Sequence, residues 1–364
     1  MTRLKALYIS SYHPTLENDD LKMLTELGFD WFSTGIHLLE SNSVNSIEHL
    51  RLRERLPRSK DHEELKAEFL VNNPLYYSQF RGLQYPEISL CKTFVDKFDL
   101  VIVLPIHSLE HNWDKIKHKP VVLKTCGNTY NQEMKIKKYF DQGLKIVRAS
   151  ETENLMKNAN PATVIRQPFW IDSLPRWKDG NSKVVLSFIS HFKQRRSTQP
   201  VKNYLEVVVP NFEYELYGAY AAGHKDPLVL GTLTRQQQLE KFCNCGCYFA
   251  IASGRAPLTY NIVEAMALGI PTITVGSKVG GQWSTERGFP NLYEPTSLFR
   301  NEIDCLMYDD PVKLKDMLTK VLEDSELRKV LSEKGSESVE KIFSNHVVCK
   351  SWRKFYKKEY GFQC

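Results

Sequence analysis

The run Phe98–Leu104, FDLVIVL, constrains this chain more than any other stretch. Its apolar part is the length of one strand and has no polar alternation, so neither face of that strand meets water. Such strands occur in parallel sheets covered by helices on both sides. Similar runs precede and follow it, at Leu4–Ser10, Pro120–Lys124 and Leu144–Ala149. Between them lie segments with helical spacing. Leu21–Leu27 is a short helical pattern closed by Gly28, and a helix is expected to begin near Ser150, where SETENL places Glu153 for a capping box. The charged stretch 42–68 carries leucines at helical spacing and predicts a solvated helical hairpin broken at Pro57. Strands alternating with helices predict a doubly wound α/β domain.

Periodicity then stops. RQPFWIDSLPRWKDG, from Arg166 to Gly180, holds two prolines and reads as a linker. A second series follows: strands Val184–Ile189, Glu213–Tyr217, Cys247–Ala252 and Pro271–Val275, with helices Thr234–Cys243 and Tyr260–Leu268. From about Val312 the chain is helical. At 364 residues it exceeds what a single core usually supports, which fits two consecutive α/β domains.

The net charge of +6 suits an anionic partner and selects none. Eight cysteines (Cys91, Cys126, Cys243, Cys245, Cys247, Cys305, Cys349, Cys364) are too sparse for a disulfide scaffold. No signal-peptide pattern or membrane-length apolar run occurs, so a cytoplasmic protein is expected.

The chemistry concentrates in IASGRAPLTYNIVEAMALGIPTITVG, Ile251–Gly276. A strand ends, a loop of small residues follows, and a helix opens near Thr259–Asn261. The first N–H groups of a helix lack internal partners and its macrodipole favours anions, so a phosphate there needs only backbone. Glu264 lies five residues on from Thr259, about 7.5 Å along a helix rising ~1.5 Å per residue. That distance matches pyrophosphate to ribose hydroxyls within one nucleotide. Read alone, Glu264 is also an ordinary surface glutamate.

TYNIVEAMALGIPTITVG resembles the donor-site signature of retaining GT-B glycosyltransferases of the family-4 type, in which a Glu-Ala-Met helix follows a phosphate loop and leads into a Gly-x-Pro strand. GTLTRQQQLEKFCNCGCYFAIAS is similar to the segment where a Gly-led loop precedes a helix and a strand, and YELYG to the strand ending below the nucleobase. The closing helix with Phe343 and Trp352 resembles the family's terminal helix. The resemblance spans Val184–Tyr356 and is strongest from Gly231 to Gly276.

It implies a GT-B fold: two Rossmann-like doubly wound domains facing each other across a cleft. Residues 1–170 would bind the acceptor and 171–335 the nucleotide-sugar, with 336–364 forming a helix that packs back on the first domain. It also implies ribose binding by Glu264, and diphosphate binding by the loop Leu258, Thr259, Tyr260 and Asn261. The basic loop SHFKQRR offers Lys193, Arg195 and Arg196 to the leaving phosphate, Arg195 foremost. The donor would be a UDP- or GDP-sugar, with no further cofactor and no metal. A retaining transfer without a protein nucleophile implies front-face displacement, in which the leaving phosphate helps deprotonate the acceptor.

The sequence departs from the pattern in two places. The second glutamate expected eight positions before Glu264 is Ala256, and the neighbouring Arg255 is a substitute for contacting the sugar or phosphate. Where many relatives carry a histidine in the first domain, this chain has KTCGNTY, leaving Thr125 and Asn128 as polar candidates. By topology His13 and His107 follow strands at the same edge, and each also reads as a structural or solvated residue.

Other clusters have structural readings. Cys243-Asn-Cys245-Gly-Cys247 lacks zinc-ligand spacing and reads as small buried residues at a helix–strand junction. Glu17-Asn18-Asp19-Asp20 reads as a helix N-terminal cap. The terminal Phe343, Trp352, Phe355 and Tyr356 among lysines read as an amphipathic helix, or as a basic arm. There is no Walker loop and no Gly-x-Gly-x-x-Gly after the first strand, against a kinase or dehydrogenase. The expected acceptor is a hydroxymethylated base in phage-type DNA or a cell-envelope or lipid-linked glycan. The Arg51/Arg53/Arg55/Arg58 run and the basic terminus suit DNA and also peripheral contact with an anionic surface. A non-catalytic nucleotide-sugar or nucleic-acid binding module on the same fold is the rival reading.

Overall fold

The computed structural model describes residues 3–10, 14–38, 56, 58–76, 87–125, 130–179, 182–218, 225–251 and 257–363. The chain divides into two compact units. The first comprises residues 1–149, 158–168 and 345–364; the second comprises 150–157 and 169–344.

Six strands of the first unit form a parallel sheet: β1 (Lys5–Ile9), β2 (Asp30–Ser33), β3 (Leu100–Val103), β4 (Val121–Thr125), β5 (Lys145–Arg148) and β6 (Thr163–Val164). Their order is β2-β1-β3-β4-β5-β6. The chain runs outward from β1 to β2, then returns to the other side of β1 at β3. All residues of β3 and β4 are buried, as strands covered on both faces require. The longer helices of this unit are α1 (Pro14–Glu26), α2 (His62–Asn72), α3 (Ile106–Ile116) and α4 (Tyr130–Phe140).

The second unit has a five-stranded parallel sheet of β7 (Val185–Phe188), β8 (Tyr214–Tyr217), β9 (Cys247–Ala250), β10 (Thr272–Thr274) and β11 (Leu306–Met307). Its order is β11-β10-β9-β7-β8, so here the reversal falls between β7 and β9. Helices α5 (Gln199–Val207), α6 (Arg235–Asn244), α7 (Tyr260–Ala267), α8 (Pro311–Glu323) and α9 (Ser325–Phe343) belong to this unit. Helix α10 (Asn345–Tyr360) belongs to the first. It buries Trp352, Phe355 and Tyr356, and Tyr360 Oη donates to the carbonyl of Val121 at 3.0 Å. Its aromatic residues therefore serve the core of the first unit, and the lysines among them stay outside.

Two expectations need correction. The acidic cluster does not cap a helix: Glu17, Asn18, Asp19 and Asp20 lie inside α1 and are at most 1% exposed. Buried carboxylates need partners, and these have them. Glu17 accepts from the hydroxyls of Ser10 and Ser33 and from the N–H groups of Ile36 and His37. Asp20 accepts from Tyr8 Oη at 2.8 Å and Gln167 Nε2 at 2.8 Å, and pairs with buried Lys124. Second, no α-helix opens at Ser150. A single 3-10 turn, Thr152–Leu155, takes its place, and Glu153 is buried without capping it. The Ser150 hydroxyl accepts from the Thr152 N–H, while Thr152 Oγ1 and the Glu151 N–H are held by the Leu292 carbonyl and Glu294. These tertiary bonds outweigh a weak helix signal. Of the hairpin expected over 42–68, residues 62–68 are the start of α2, and residues 42–55 and Pro57 lie outside the described residues.

A second buried charge pair fixes the edge of the first sheet. Arg148, at the end of β5, makes two 2.8 Å bonds to Glu133 of α4, and both side chains are fully buried. Asn160 closes the ring, its N–H donating to Glu133 and its carbonyl accepting from Arg148. Removing one partner leaves the other charge unpaired in the interior. Glu133→Ala should therefore cost about 3–5 kcal/mol of stability, read from the urea denaturation midpoint.

Candidate functional site

In an open parallel sheet the strand order reverses at one point, and the loops leaving the two strands there diverge, opening a crevice beyond their carboxyl ends. In the second unit that point lies between β7 and β9. The loop after β7 carries the basic residues, and the loop after β9 leads into α7.

After β7 the chain turns through His191, whose φ of 58° is left-handed, into a one-turn helix Phe192–Arg195. Phe192 is buried and anchors the turn. Lys193 is exposed. Arg195 is half-buried and has no ion pair among the described residues; burial pulls its guanidinium below the ordinary value. A cation held out of water without a counter-ion favours an incoming anion. Arg196 differs: its Nε lies 2.9 Å from Asp226, a carboxylate 4% exposed, so its charge is already matched.

After β9, residues 252–256 lie outside the described residues, and Arg255 and Ala256 with them. The chain resumes at Pro257, whose carbonyl accepts from the Glu294 N–H at 2.8 Å. Thr259 is extended, at φ −89° and ψ 133°, and places no side-chain cap on α7. Leu258, Thr259, Tyr260 and Asn261 are half-buried, so protein does not seal the helix start. The Tyr260 ring packs on Phe169 at 4.6 Å between centroids, which fixes the first turn. At the other end of the helix, Arg176 donates to the Ala267 carbonyl at 3.2 Å and the Trp177 N–H to the Leu268 carbonyl at 2.8 Å. The C-terminal carbonyls are thus satisfied by donors, and Thr259 places no side-chain cap on the N-terminus, the end whose macrodipole favours an anion.

Glu264, one turn further along α7, is only 3% exposed, so it is not a solvated surface glutamate. Its Oε1 is bonded to Arg235 Nη2. Arg235 is the first residue of α6, behind a capping box. The Gln237 N–H donates to Thr234 Oγ1 at 3.3 Å, and the Thr234 N–H donates to Gln237 Oε1 at 2.9 Å. Sequence reading missed Arg235. The Thr-x-x-Gln spacing fixes where the helix starts, but nothing local shows that its first side chain meets a residue 29 positions later.

The candidates of the first unit are less concentrated. Thr125 is buried at the end of β4, and His107 is exposed in the first turn of α3. His13 and Asn128 lie outside the described residues. Among the remaining clusters, Cys245 and Cys247 are buried and burial raises both thiols, that of Cys247 to about 12, which makes them poor nucleophiles. Asp309 accepts from the N–H groups of Lys278 and Val279, and Asp310 caps α8 through the Val312 N–H. Both therefore close helix starts. No group of three metal-ligating side chains occurs among the described residues, and no described helix is long and apolar enough to cross a membrane.

No family model matches the sequence, and no curated protein sequence matches it significantly. Solved structures do match. The chain is similar to sucrose-phosphate synthase from Thermosynechococcus elongatus at 12% identity and a TM-score of 0.64, covering 99% of this chain and 100% of that one. It is similar to HepE of Anabaena in complex with UDP and glucose at 12% identity and a TM-score of 0.61, covering 97% and 99%. An α-glucosyltransferase in complex with UDP-glucose and DNA containing an abasic site matches at 12% identity and a TM-score of 0.63, covering 97% and 99%. With the two parallel-sheet units, these matches define the fold as GT-B.

The capping box that seats Arg235 should be measurable by itself. Thr234→Ala removes one of its two hydrogen bonds and should lower stability by about 1 kcal/mol in thermal or urea melts.

Proposed function

We propose that this chain is a glycosyltransferase that takes a sugar from a nucleoside-diphosphate donor held by its second unit and passes it to an acceptor hydroxyl. One observation carries the reading. At the strand reversal of that unit, a half-buried arginine without an ion pair among the described residues and an open helix start with a buried glutamate one turn inside leave adjacent strands. The amides of Thr259, Tyr260 and Asn261 hold the diphosphate and Glu264 accepts from the ribose. Arg195, with Lys193 beside it, takes up the negative charge that grows on the leaving phosphate as the glycosidic bond breaks. Leu258 belongs to the loop, and Arg255 is the candidate for contacting the donor sugar or phosphate in place of the glutamate that Ala256 replaces.

The finer reading follows the sequence resemblance: a family-4-type enzyme with retention at the anomeric carbon, UDP or GDP as the nucleotide, and no metal in the transfer. The first unit presents the acceptor, with Thr125, Asn128, His13 and His107 as its polar candidates. Arg196, matched to Asp226, has the weakest claim among the basic residues. The acceptor is a hydroxymethylated base in DNA or an envelope glycan. The net charge of +6 supports the former, and one structural neighbour was solved with UDP-glucose and DNA. A steep fall of DNA affinity with rising salt is expected for a DNA acceptor, and no retention on DNA at low salt points to the glycan.

A thermal-shift screen of nucleoside diphosphates and their sugars should raise the melting temperature for one nucleotide, because a bound ligand stabilises by mass action. Slow hydrolysis of that donor separates an enzyme from a binding module. Calorimetry should show Glu264→Ala weakening donor binding by tenfold or more; unchanged affinity removes the ribose assignment. In steady-state assays Arg195→Ala should lower kcat more than it raises KM, since its contact strengthens in the transition state.

A further inference from the structure

Resting on that donor-site reading, we propose that Arg235 is the positioning residue of the nucleotide site: it keeps the Glu264 carboxylate charged and aimed for a ribose that Arg235 does not touch.

The argument starts from burial. Glu264 is 3% exposed, and a carboxylate so removed from water protonates unless a positive charge stands beside it. A protonated acid gives up acceptor capacity that a vicinal diol needs. Arg235 supplies the charge from a side chain itself only 13% exposed. Its planar fork is held at two points, Nη2 on Glu264 and Nη1 on Gln238 Oε1 at 2.9 Å, so the carboxylate meets a guanidinium of fixed orientation.

The backbone under Arg235 is braced as well. Besides the capping box, the Gly218 N–H donates to the Gly231 carbonyl at 2.9 Å and the Leu230 N–H to the Leu216 carbonyl at 2.8 Å. The segment entering α6 is thereby tied to β8 and the turn that leaves it. The pair joins the start of α6, which follows β8, to α7, which follows β9.

Among the described residues, two ionisable groups are placed against Glu264. Arg235 approaches from α6 and Tyr248 from β9; burial, with the Glu264 charge as a smaller contribution, pushes the Tyr248 hydroxyl well above its ordinary range. Strand β10 carries no ionisable side chain, and α9 meets α7 through Gly335 against Met266. Arg235 is the cation paired with this carboxylate among the described residues. Buried ion pairs contribute little net stability, so a stability measurement alone does not report this role. The pH profile of nucleotide affinity does.

The experiment is calorimetric titration of the whole protein with UDP and with GDP between pH 6 and 8. Wild type is expected to bind one of them with nearly constant affinity. In Arg235→Met the Glu264 carboxyl loses its counter-ion and its pKa rises. The charged form is then lost as pH falls through that value, and affinity should drop about tenfold per pH unit below it. Arg235→Lys should restore a flatter profile, and Glu264→Gln in the Arg235→Met background should abolish the slope. Arg235→Gln, which removes the charge and keeps a donor, replaces Arg235→Met should that variant fail to fold. Wild-type affinity with a flat profile in the folded neutral variant overturns the role of Arg235. If Glu264→Gln alone still weakens binding, the donor-site reading survives that result. Normal affinity in Glu264→Gln, or no binding of either nucleotide by wild type, overturns the donor-site reading itself.

Discussion

A negative charge inside a protein must be matched there, and the second unit is arranged around one such match, between Glu264 and Arg235. The carboxylate sits one turn inside a helix whose N-terminus opens at the strand reversal. The guanidinium is seated by a capping box on a helix that follows a different strand. Together they tie the start of α6 to α7. The polarity of α7 agrees with this: Arg176 and Trp177 satisfy its C-terminal carbonyls, whereas Thr259 places no side chain over its first amides.

The first unit matches buried carboxylates in the same way. Asp20 is matched by Lys124, and Glu133 by Arg148. Glu17 is surrounded by hydroxyls and backbone N–H groups. Each of these three carboxylates finds its partners within the unit, which suits a scaffold. In the second unit Arg195 breaks that rule, being half-buried with no counter-ion among the described residues. The contrast is chemical: matched buried charges specify a fold, and an unmatched one invites an anion.

Much of this was legible in the sequence wherever local composition decides the outcome. The strands around Phe98–Leu104, Val121, Val185 and Cys247 announce themselves because both faces are apolar. The opening of α7 is readable from small loop residues, Thr259 and the position of Glu264. Strand β2, with the sequence Asp-Trp-Phe-Ser, was not recognised, since its ends are polar and its pairing with β1 is a tertiary fact. Strand β11 has two residues, too few for any period. Glu17 to Asp20 read as a helix N-terminal cap because nothing in four consecutive polar residues shows burial; the lysine that neutralises Asp20 lies 104 positions away. Arg235 was hidden for the same reason, since a helix start shows where a side chain is rooted and not what it reaches.

The first unit is discontinuous, because α10 returns to it after the whole second unit has been threaded. During synthesis the early residues emerge with Phe29 and the Val121 carbonyl still lacking the Tyr356 and Tyr360 that later cover them. That sheet therefore waits in an incomplete state while 176 residues of the other unit, 169–344, are made and can fold. The strands of that sheet are thus made before the helix that completes their core.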